Sequence, residues 1–203
     1  METSLIITTY KWPEALFLTL KSVKEQSLVP SEVIIADDGS GRNTAGTVQR
    51  VLEGSNISWC HVRHDDEGVR QSRIRNLAVR HSRKPYLIFI DHDVILHKDF
   101  VLDHVSNAEK DCFLQGKRVL LFEKNTRAVL AKKLFSPPSL WSSSIGNRKN
   151  LLHSRLLSSL LTRPKTFDKG IRSCNLSMFK SDFIEVDGFD ETYDKSWGRE
   201  DSD

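Results

Sequence analysis

Cysteine is scarce in this sequence, with three residues among 203. Cys60, Cys112 and Cys174 stand far apart, so none of them has the spacing of a zinc ligand set, and an odd number cannot pair completely. A disulfide-stapled secreted domain and a zinc-ribbon protein are therefore excluded as interpretations. Scarce, unpaired cysteines favour a protein of the reduced cytoplasm.

Long apolar runs are also missing. No stretch approaches the roughly 20 residues that a membrane span requires. The first residues, Met1-Glu-Thr-Ser, lack the basic and apolar regions of a signal peptide. Any membrane contact is therefore expected to be peripheral, on the inner face of the membrane. The net charge of +3 is too small to indicate a nucleic-acid partner.

The first half of the chain contains a regular alternation of apolar strands and amphipathic helices, and the length of the chain suits one substantial domain. The predicted elements alternate from strand to helix and end with a fourth strand: 4–9, 13–23, 32–36, 43–52, 57–62, 69–81 and 86–91. Short connections between them predict a Rossmann-like three-layer α/β/α sandwich with a mostly parallel central sheet.

The strand at Tyr86–Asp91 is the central feature of the sequence. It is apolar throughout, as strands buried on both faces are, and it ends in two carboxylates, Asp91 and Asp93. Ligands bind at the carboxyl ends of strands in open α/β sheets, and two hard oxygen ligands there suit a divalent cation. A solvated acidic turn explains this pattern equally well by itself. His92 is expected to point away from the metal and to be structural.

A second acidic cluster, Asp37 and Asp38, directly follows the strand at 32–36. Parallel strands end at one edge of a sheet, so this cluster is predicted to lie near Asp91 and Asp93. By itself the stretch Asp37-Asp38-Gly39-Ser40 is more typical of a tight turn. Taken together, the two clusters favour a ligand site.

Basic and aromatic side chains accompany the acidic clusters. Arg70 and Arg73 are three residues apart on a predicted helix, with Arg75 following, and the planar fork of arginine suits phosphate oxygens. The alternative is a solvated basic face. Asn76 is predicted to hydrogen-bond the acidic loops. Tyr10 follows the first strand and is placed either to stack on a base or to cover the sheet edge.

The second half of the chain has a weaker pattern. We expect a helix at 99–109 capped by Asp99, strands at 118–122 and 174–179, and a poorly periodic insertion at 125–169. Within the insertion, 150–165 carries six leucines at helical spacing together with basic residues. Packing against the core is the preferred interpretation of this segment, and docking on an anionic membrane is the alternative.

Near the end of the chain, Glu200 and Asp201 follow a Trp-Gly pair. An acidic pair at a helix start is explained by capping and dipole matching. The functional interpretation is a general base that takes a proton from an acceptor hydroxyl.

Two enzyme classes with α/β folds fit these motifs poorly. A dinucleotide-dependent oxidoreductase requires G-x-G-x-x-G after the first strand, and Tyr10-Lys-Trp-Pro13 stands there instead. A nucleotidyltransferase also uses an Asp-x-Asp pair with a metal, but would carry a glycine-rich basic loop at that position. A nucleotide-sugar-binding module without turnover remains open, since it would retain the same motifs.

Seven motifs in register resemble family 2 glycosyltransferases of the GT-A fold. They are Ile6–Tyr10, Ile35–Ser40, Asp66–Arg70 with Arg75-Asn76, Phe89–Asp93, Cys174–Ser177, Gly188–Glu191 and Trp197–Asp201. The third and the last resemble a narrower group, which includes chondroitin-polymerase-like enzymes and the C-terminal motifs of β-1,4-galactosyltransferases.

The resemblance implies an inverting transfer of a hexose or N-acetylhexosamine from a UDP-sugar to a glycan or lipid-linked glycan, in polysaccharide or lipopolysaccharide synthesis. The implied donor-binding positions are Thr9, Tyr10, Asp37, Asp38, Arg70, Arg75 and Asp91. The implied metal is Mn²⁺ or Mg²⁺, held by Asp93 with Asp91.

The resemblance also assigns catalytic roles and a division of the single domain. Asp201 matches the general base, and Glu200 matches a residue that positions the acceptor. Residues 1–98 are expected to bind the nucleotide-sugar and 99–203 the acceptor. Related enzymes continue beyond the last motif, so the sequence is expected to be either a naturally short form or one truncated in its C-terminal part.

Overall fold

The computed structural model describes residues 1–139, 142–154 and 171–193. Its main body is a six-stranded sheet. The strands are β1 (Thr3–Thr9), β2 (Glu32–Asp37), β3 (Ser58–Arg63), β4 (Tyr86–Asp91), β5 (Leu114–Gln115) and β8 (Asn175–Phe179). Their order across the sheet is β3-β2-β1-β4-β8-β5. The first four strands are parallel, and β8 runs antiparallel between β4 and β5. The predicted mostly parallel sheet is confirmed.

Helices cover both faces of the sheet. They are α1 (Pro13–Lys24), α2 (Arg42–Leu52), α3 (Gln71–His81), α4 (Phe100–Ser106), α5 (Glu123–Lys132) and α6 (Lys180–Glu185). Successive strand residues point to opposite faces, so each buried strand feeds two cores. In β4, Ile88 packs with α1, α2 and α4, whereas Phe89 packs with α3 and α6. This is the predicted three-layer sandwich.

The order of the strands creates a switch point beside β1. The chain passes from β1 to β2 on one side and returns from β3 to β4 on the other side of β1. Such crossovers diverge at the carboxyl ends of the two central strands and leave a crevice there. The crevice lies where β1 gives way to Tyr10 and β4 ends in Asp91.

The second half differs from its prediction in several elements. Only Leu120–Leu121 of the predicted 118–122 strand is extended; it forms β6 and pairs with β7 (Ile145–Gly146) in a separate two-stranded sheet. The helix expected from Asp99 begins at Phe100, and the Asp99 carboxylate accepts a hydrogen bond from Ser27 Oγ at 2.6 Å instead of capping that helix.

The leucine-rich segment is helical only in part where it is described. Arg148–Leu151 forms a 3₁₀ turn, and 152–154 has no helical structure. The helix expected from residue 150 is therefore wrong for 152–154, and its remainder lies outside the described residues. Within the ranges that the structure describes, no helix is both long enough and apolar enough to cross a membrane.

Candidate functional site

The sheet register brings the two acidic clusters to one edge. Thr9, at the end of β1, pairs with Asp37 at the end of β2, while Thr8 pairs with Asp91 at the end of β4. Because β1 lies between the other two strands, its last residues form the floor between the acidic clusters. The shared edge that the parallel order predicts is present.

The Asp37 carboxylate is fully buried and both of its oxygens are bonded. Oδ1 accepts the backbone N–H of Ser40 at 2.8 Å, and Oδ2 accepts from His61 Nε2, also at 2.8 Å. Burial alone would raise the pKa of Asp37, but the hydrogen bonds from His61 and Ser40 favour the ionised form and lower it below the usual value. Asp37 therefore holds the shape of the acidic turn.

The glycine of that turn permits a close approach between two loops. Gly39 has a φ of +94°, and a Cβ at this position would lie 2.6 Å from the Cα of Asp66. A side chain would both strain the backbone and push the Asp66 loop away. The sequence Asp-Asp-Gly thus reflects a packing requirement as well as a turn.

Asp38 links this turn to the start of α3. Its Oδ1 accepts from His64 Nε2 at 2.5 Å, its Oδ2 accepts the backbone N–H of Arg70 at 3.1 Å, and its own N–H donates to Thr9 O at 3.0 Å. The side chain is buried. Asp38 therefore fixes the relative positions of β1, β2 and the loop before α3.

Tyr10 and Lys11 close one side of the crevice. Tyr10 Oη donates to Asp66 Oδ1 at 3.2 Å, and Lys11 Nζ pairs with the same carboxylate while lying 4.7 Å from the Tyr10 ring centroid. The hydrogen bond between Lys11 and Asp66 raises the pKa of the lysine and lowers the pKa of the aspartate. Tyr10 is half-buried, and its stacking role stays a prediction.

Arg75 is a buried cation at the centre of the edge. Its Nε donates to Thr8 Oγ1 at 3.2 Å, and one of its terminal nitrogens donates to Gln71 Oε1 at 3.0 Å and to Asp91 Oδ1 at 3.4 Å. Its guanidinium carbon lies 5.4 Å from the centroid of the Phe189 ring. A buried charge requires such a set of partners, and they leave the guanidinium rigidly placed beside Asp91.

The prediction that Arg70 and Arg73 share a helix face is wrong. Arg70 is the residue before α3, and its guanidinium bonds Glu67 Oε2 at 2.7 Å and the carbonyl of Asp65, so it braces its own loop. Arg73 is exposed and pairs with Glu191 at 3.3 Å. The helix begins later than the sequence suggests because the Arg70 backbone is held by Asp38.

Asp93 is exposed, and no protein partner of its carboxylate is found within the described ranges. His92 faces away from that solvent side: its Nδ1 donates to Thr8 O at 3.1 Å, and Trp12 packs edge-on against its ring. The structural role predicted for His92 agrees with this position. Two hard carboxylates at an open edge, one of them unengaged, are a suitable ligand set for Mn²⁺ or Mg²⁺.

Several buried polar atoms at this edge lack a protein partner. Within the described part of the chain they include Thr9 Oγ1, His64 Nδ1 and Arg70 Nε. Unpaired buried polar atoms cost free energy unless a ligand or water satisfies them. Their concentration around one crevice is typical of a ligand site.

Sequence reasoning missed the histidines that support the acidic turn. His61 lies on the edge strand β3, and His64 follows that strand directly. Two histidines beside the end of the strand that neighbours an acidic turn were the available signal. Asn76 was assigned to the wrong partner: it brackets Phe189, accepting from its N–H at 3.0 Å and donating to its carbonyl at 2.8 Å.

A buried polar network connects β8 to α4. His104 Nε2 donates to Asn175 Oδ1 at 2.9 Å, His104 Nδ1 accepts from Ser177 Oγ at 2.6 Å, and Ser177 Oγ lies 2.7 Å from Tyr86 Oη. Burial lowers the pKa of His104 to about 4, so the imidazole is neutral. The Cys174–Ser177 motif thus includes a structural anchor. Glu200 and Asp201, the predicted catalytic pair, lie outside the described residues.

Comparison with known proteins agrees with this geometry. The chain is 27% identical over 216 residues to the chondroitin synthase of Pasteurella multocida (strain Pm70), covering 98% of this chain and 22% of that protein. The chain therefore spans about a fifth of the length of that relative.

Solved structures share the fold. S. aureus TarS 1–349 in complex with UDP-GlcNAc superposes with a TM-score of 0.64 at 16% identity, covering 100% of this chain and 51% of the other. The mannosyltransferase PcManGT from Pyrobaculum calidifontis, in complex with GDP-Man and Mn²⁺, gives 0.62 at 15% identity, with 99% and 50% covered. The predicted GT-A fold is confirmed.

A family model described as glycosyl transferase family 2 matches residues 4–186, which includes every residue of the central sheet except Thr3. This match and the chondroitin synthase relative confirm the resemblance drawn from the sequence motifs. The chain belongs to glycosyl transferase family 2.

Proposed function

We propose that this protein transfers a hexose or N-acetylhexosamine from a UDP-sugar to a hydroxyl of a glycan or lipid-linked glycan, with inversion at the sugar carbon. The observation that carries the proposal is the convergence of Arg75, Asp91 and Asp93 with the Asp37–Asp38 turn at the switch point of the sheet. The TarS domain of the same fold forms a complex with UDP-GlcNAc, and this supports a UDP-sugar donor.

The donor nucleotide would lie along the end of β1. Thr9 offers a buried hydroxyl that has no partner among the described residues, and Tyr10 offers a half-buried ring at the same edge. Asp37 and Asp38 would shape this wall, since their carboxylates are bonded within the protein. Arg75, fixed between Thr8 and Asp91, would lie beside the nucleotide with little further ordering.

Asp93, together with Asp91, would hold the divalent metal, Mn²⁺ or Mg²⁺. When bound, such an ion neutralises the charge that develops on the leaving diphosphate. Arg75 already offsets part of the negative charge of Asp91, which keeps two adjacent carboxylates tolerable at this edge before the ion binds. The PcManGT complex contains Mn²⁺, which supports an ion of this kind.

Asp201 is the proposed general base and Glu200 the residue that positions the acceptor, as the family resemblance implies. Removal of the acceptor proton as the hydroxyl attacks the sugar carbon gives a single displacement and therefore inversion. Asn76 and Arg73 hold residues 189–191 against α3, and the Phe189 ring centroid lies 5.4 Å from the guanidinium carbon of Arg75.

The acceptor would lie in a pocket next to β8. This pocket, of about 260 Å³, is lined by several polar residues, among them Lys117, Arg118, Arg172 and Asn175. Asn175 pairs with Ile90, the residue before Asp91, which places the pocket beside the metal edge. Its basic lining suits a glycan that carries carboxylate or phosphate groups.

The cellular setting follows from the same proposal. The reaction belongs to polysaccharide or lipopolysaccharide synthesis, in the cytoplasm, with peripheral contact at the inner face of the membrane where the acceptor is lipid-linked. Nucleic acid is not a partner in this proposal.

Calorimetric titration of UDP with and without Mn²⁺ tests the donor site. We expect metal-dependent binding that Asp93→Asn abolishes and Asp111→Asn, an exposed carboxylate elsewhere, leaves unchanged. Asp201→Asn should bind UDP normally and stop transfer. Absence of UDP binding in both conditions would overturn the donor assignment, and UDP binding without transfer to any glycan would favour a binding module.

A further inference from the structure

A second cluster of metal-ligating side chains lies beside α4, where His153 contacts Asp103. His97 and Asp99 precede that helix, and His153 follows the Arg148–Leu151 turn of the insertion. Each residue offers one ligand atom, and the three atoms all lie within 4.8 Å of one another. The two imidazole rings stack with their centroids 4.1 Å apart.

The hydrogen bonds of the two imidazoles orient them for a shared ligand. His153 Nε2 donates to Asp103 Oδ2 at 2.7 Å, which leaves Nδ1 for a metal. His97 Nδ1 accepts the backbone N–H of Asp99 at 3.2 Å, so its lone pair lies on this nitrogen, and a metal at Nδ1 would replace that long contact. A carboxylate that bonds the second nitrogen of a histidine is the usual outer-shell partner of a metal-bound imidazole.

Asp99 is held in place from the core. It is buried, and its Oδ1 accepts from Ser27 Oγ at 2.6 Å. The exposed Lys98 pairs with Oδ2 at 3.4 Å, a longer contact that a cation at the same oxygen would replace. The Ser27 hydroxyl therefore fixes one side of the carboxylate.

We propose that His97, Asp99 and His153 bind a late first-row divalent ion of the Zn²⁺ type, with Asp103 as the outer partner of His153. Two imidazoles and one carboxylate suit zinc, whereas the all-carboxylate donor edge suits Mn²⁺ or Mg²⁺. The two metal sites thus differ in ligand chemistry.

The ion would fasten the insertion to the core. His97 and Asp99 belong to the segment that leaves β4, while His153 belongs to the insertion, more than fifty residues later in the chain. A metal that bridges two such segments closes a long loop and stabilises the folded arrangement. The site is structural, and it does not depend on the proposed transfer reaction.

Zn²⁺ titration of chelator-treated protein, followed by calorimetry, tests the site. We expect one Zn²⁺ site that persists in Asp93→Asn. Asp103→Asn should weaken it about 10- to 100-fold, as outer-shell changes do. His97→Gln and His153→Gln should weaken it further. His81→Gln, which changes an exposed histidine of α3, should bind as the unmodified protein does.

Co²⁺ provides a second readout, because its visible spectrum reports nitrogen ligands directly. Spectral bands that disappear in His153→Gln, with circular dichroism unchanged, would support the site. The proposal is overturned if the unmodified protein binds no Zn²⁺, if Asp93→Asn abolishes the binding, or if both histidine variants bind as tightly as the unmodified protein. None of these measurements includes UDP, so failure here is distinct from failure of the proposed transferase function.

Discussion

The two halves of the molecule are stabilised in different ways. In the first half, the residues of β1 and β2 are all buried, and apolar side chains pack on both faces of these strands. In the second half, α5 buries no side chain, and β5, β6 and β7 have two residues each.

The difference separates the proposed donor half, which is packed throughout, from a proposed acceptor half that is packed only in part. Apolar burial holds β1 and β2 in place whether or not a ligand is present. The described part of the second half combines the packing of Phe183 and Phe189 on Phe89 with polar contacts such as the His104 network. If the proposed division holds, changes in acceptor specificity need not disturb the nucleotide site.

Truncation of one phenylalanine in each half should give the largest contrast. Phe89 is fully buried in β4 and contacts the rings of Phe183 and Phe189, whereas Phe122 is half-exposed before α5. Phe89→Ala should lower the free energy of unfolding by about 3–5 kcal/mol. Phe122→Ala should lower it by no more than about 1 kcal/mol. Denaturant unfolding measures both, and equal losses would contradict the comparison.

Acid should weaken the joint between the halves. The unfolded state protonates His104 near pH 6.5, but the folded state does so only near pH 4, so stability falls as pH drops through this window. The difference corresponds to about 3 kcal/mol. Asp103, the nearest charge, acts in the opposite direction and is included in this value.

The His104 prediction is checked by unfolding at several pH values. His104→Gln removes the titrating group, so its stability should depend less on pH between about 4 and 6.5 than that of the unmodified protein. A pH dependence that stays the same in the variant would show that other groups cause it.

Arg75→Lys should weaken the binding of a UDP-sugar, with a smaller free-energy effect than Phe89→Ala has on unfolding. Lysine cannot reproduce the fork that reaches Thr8, Gln71 and Asp91 together. Loss of one or two charged hydrogen bonds corresponds to a 10- to 100-fold weaker affinity for a UDP-sugar, or about 1.5–3 kcal/mol. Calorimetry measures this affinity, with Arg80→Lys on the exposed face of α3 as the control. Unchanged affinity would remove Arg75 from the donor site.

The smallest effect should come from the surface pair on α5. Arg127 and Glu123 form an ion pair one helical turn apart, and both side chains are more than three-quarters exposed. Exposed pairs at this spacing contribute about 0.3–0.5 kcal/mol. A double-mutant cycle with Arg127→Ala and Glu123→Ala should find a coupling of this size. A coupling above about 1 kcal/mol would indicate that the second half is packed more tightly than its exposed side chains suggest.

The same contrast explains what the sequence could predict. Strand β4 was placed with its bounds correct, because a strand buried on both faces is a continuous apolar run. The crevice followed from chain order, since parallel strands with short crossovers end at one edge. Contacts that join distant segments carried no local signal: His104 with Asn175, His61 with Asp37, and Asn76 with Phe189. Two-residue strands such as β6 depend on their partner and were likewise poorly predicted.

The segment between Gly116 and Asn175, which contains the insertion, leaves and rejoins the sheet at a single point. The backbone N–H of Gly116 donates to Asn175 O at 3.0 Å, and a Cβ on Gly116 would collide with the Asn175 side chain at 2.2 Å. The two ends are therefore held together whatever length of chain separates them. Each doubling of the loop length raises the free energy of loop closure by only about 0.6 kcal/mol. The segment between these residues can be lengthened, shortened or exchanged for one from another enzyme, with the Gly116–Asn175 junction as the splice site.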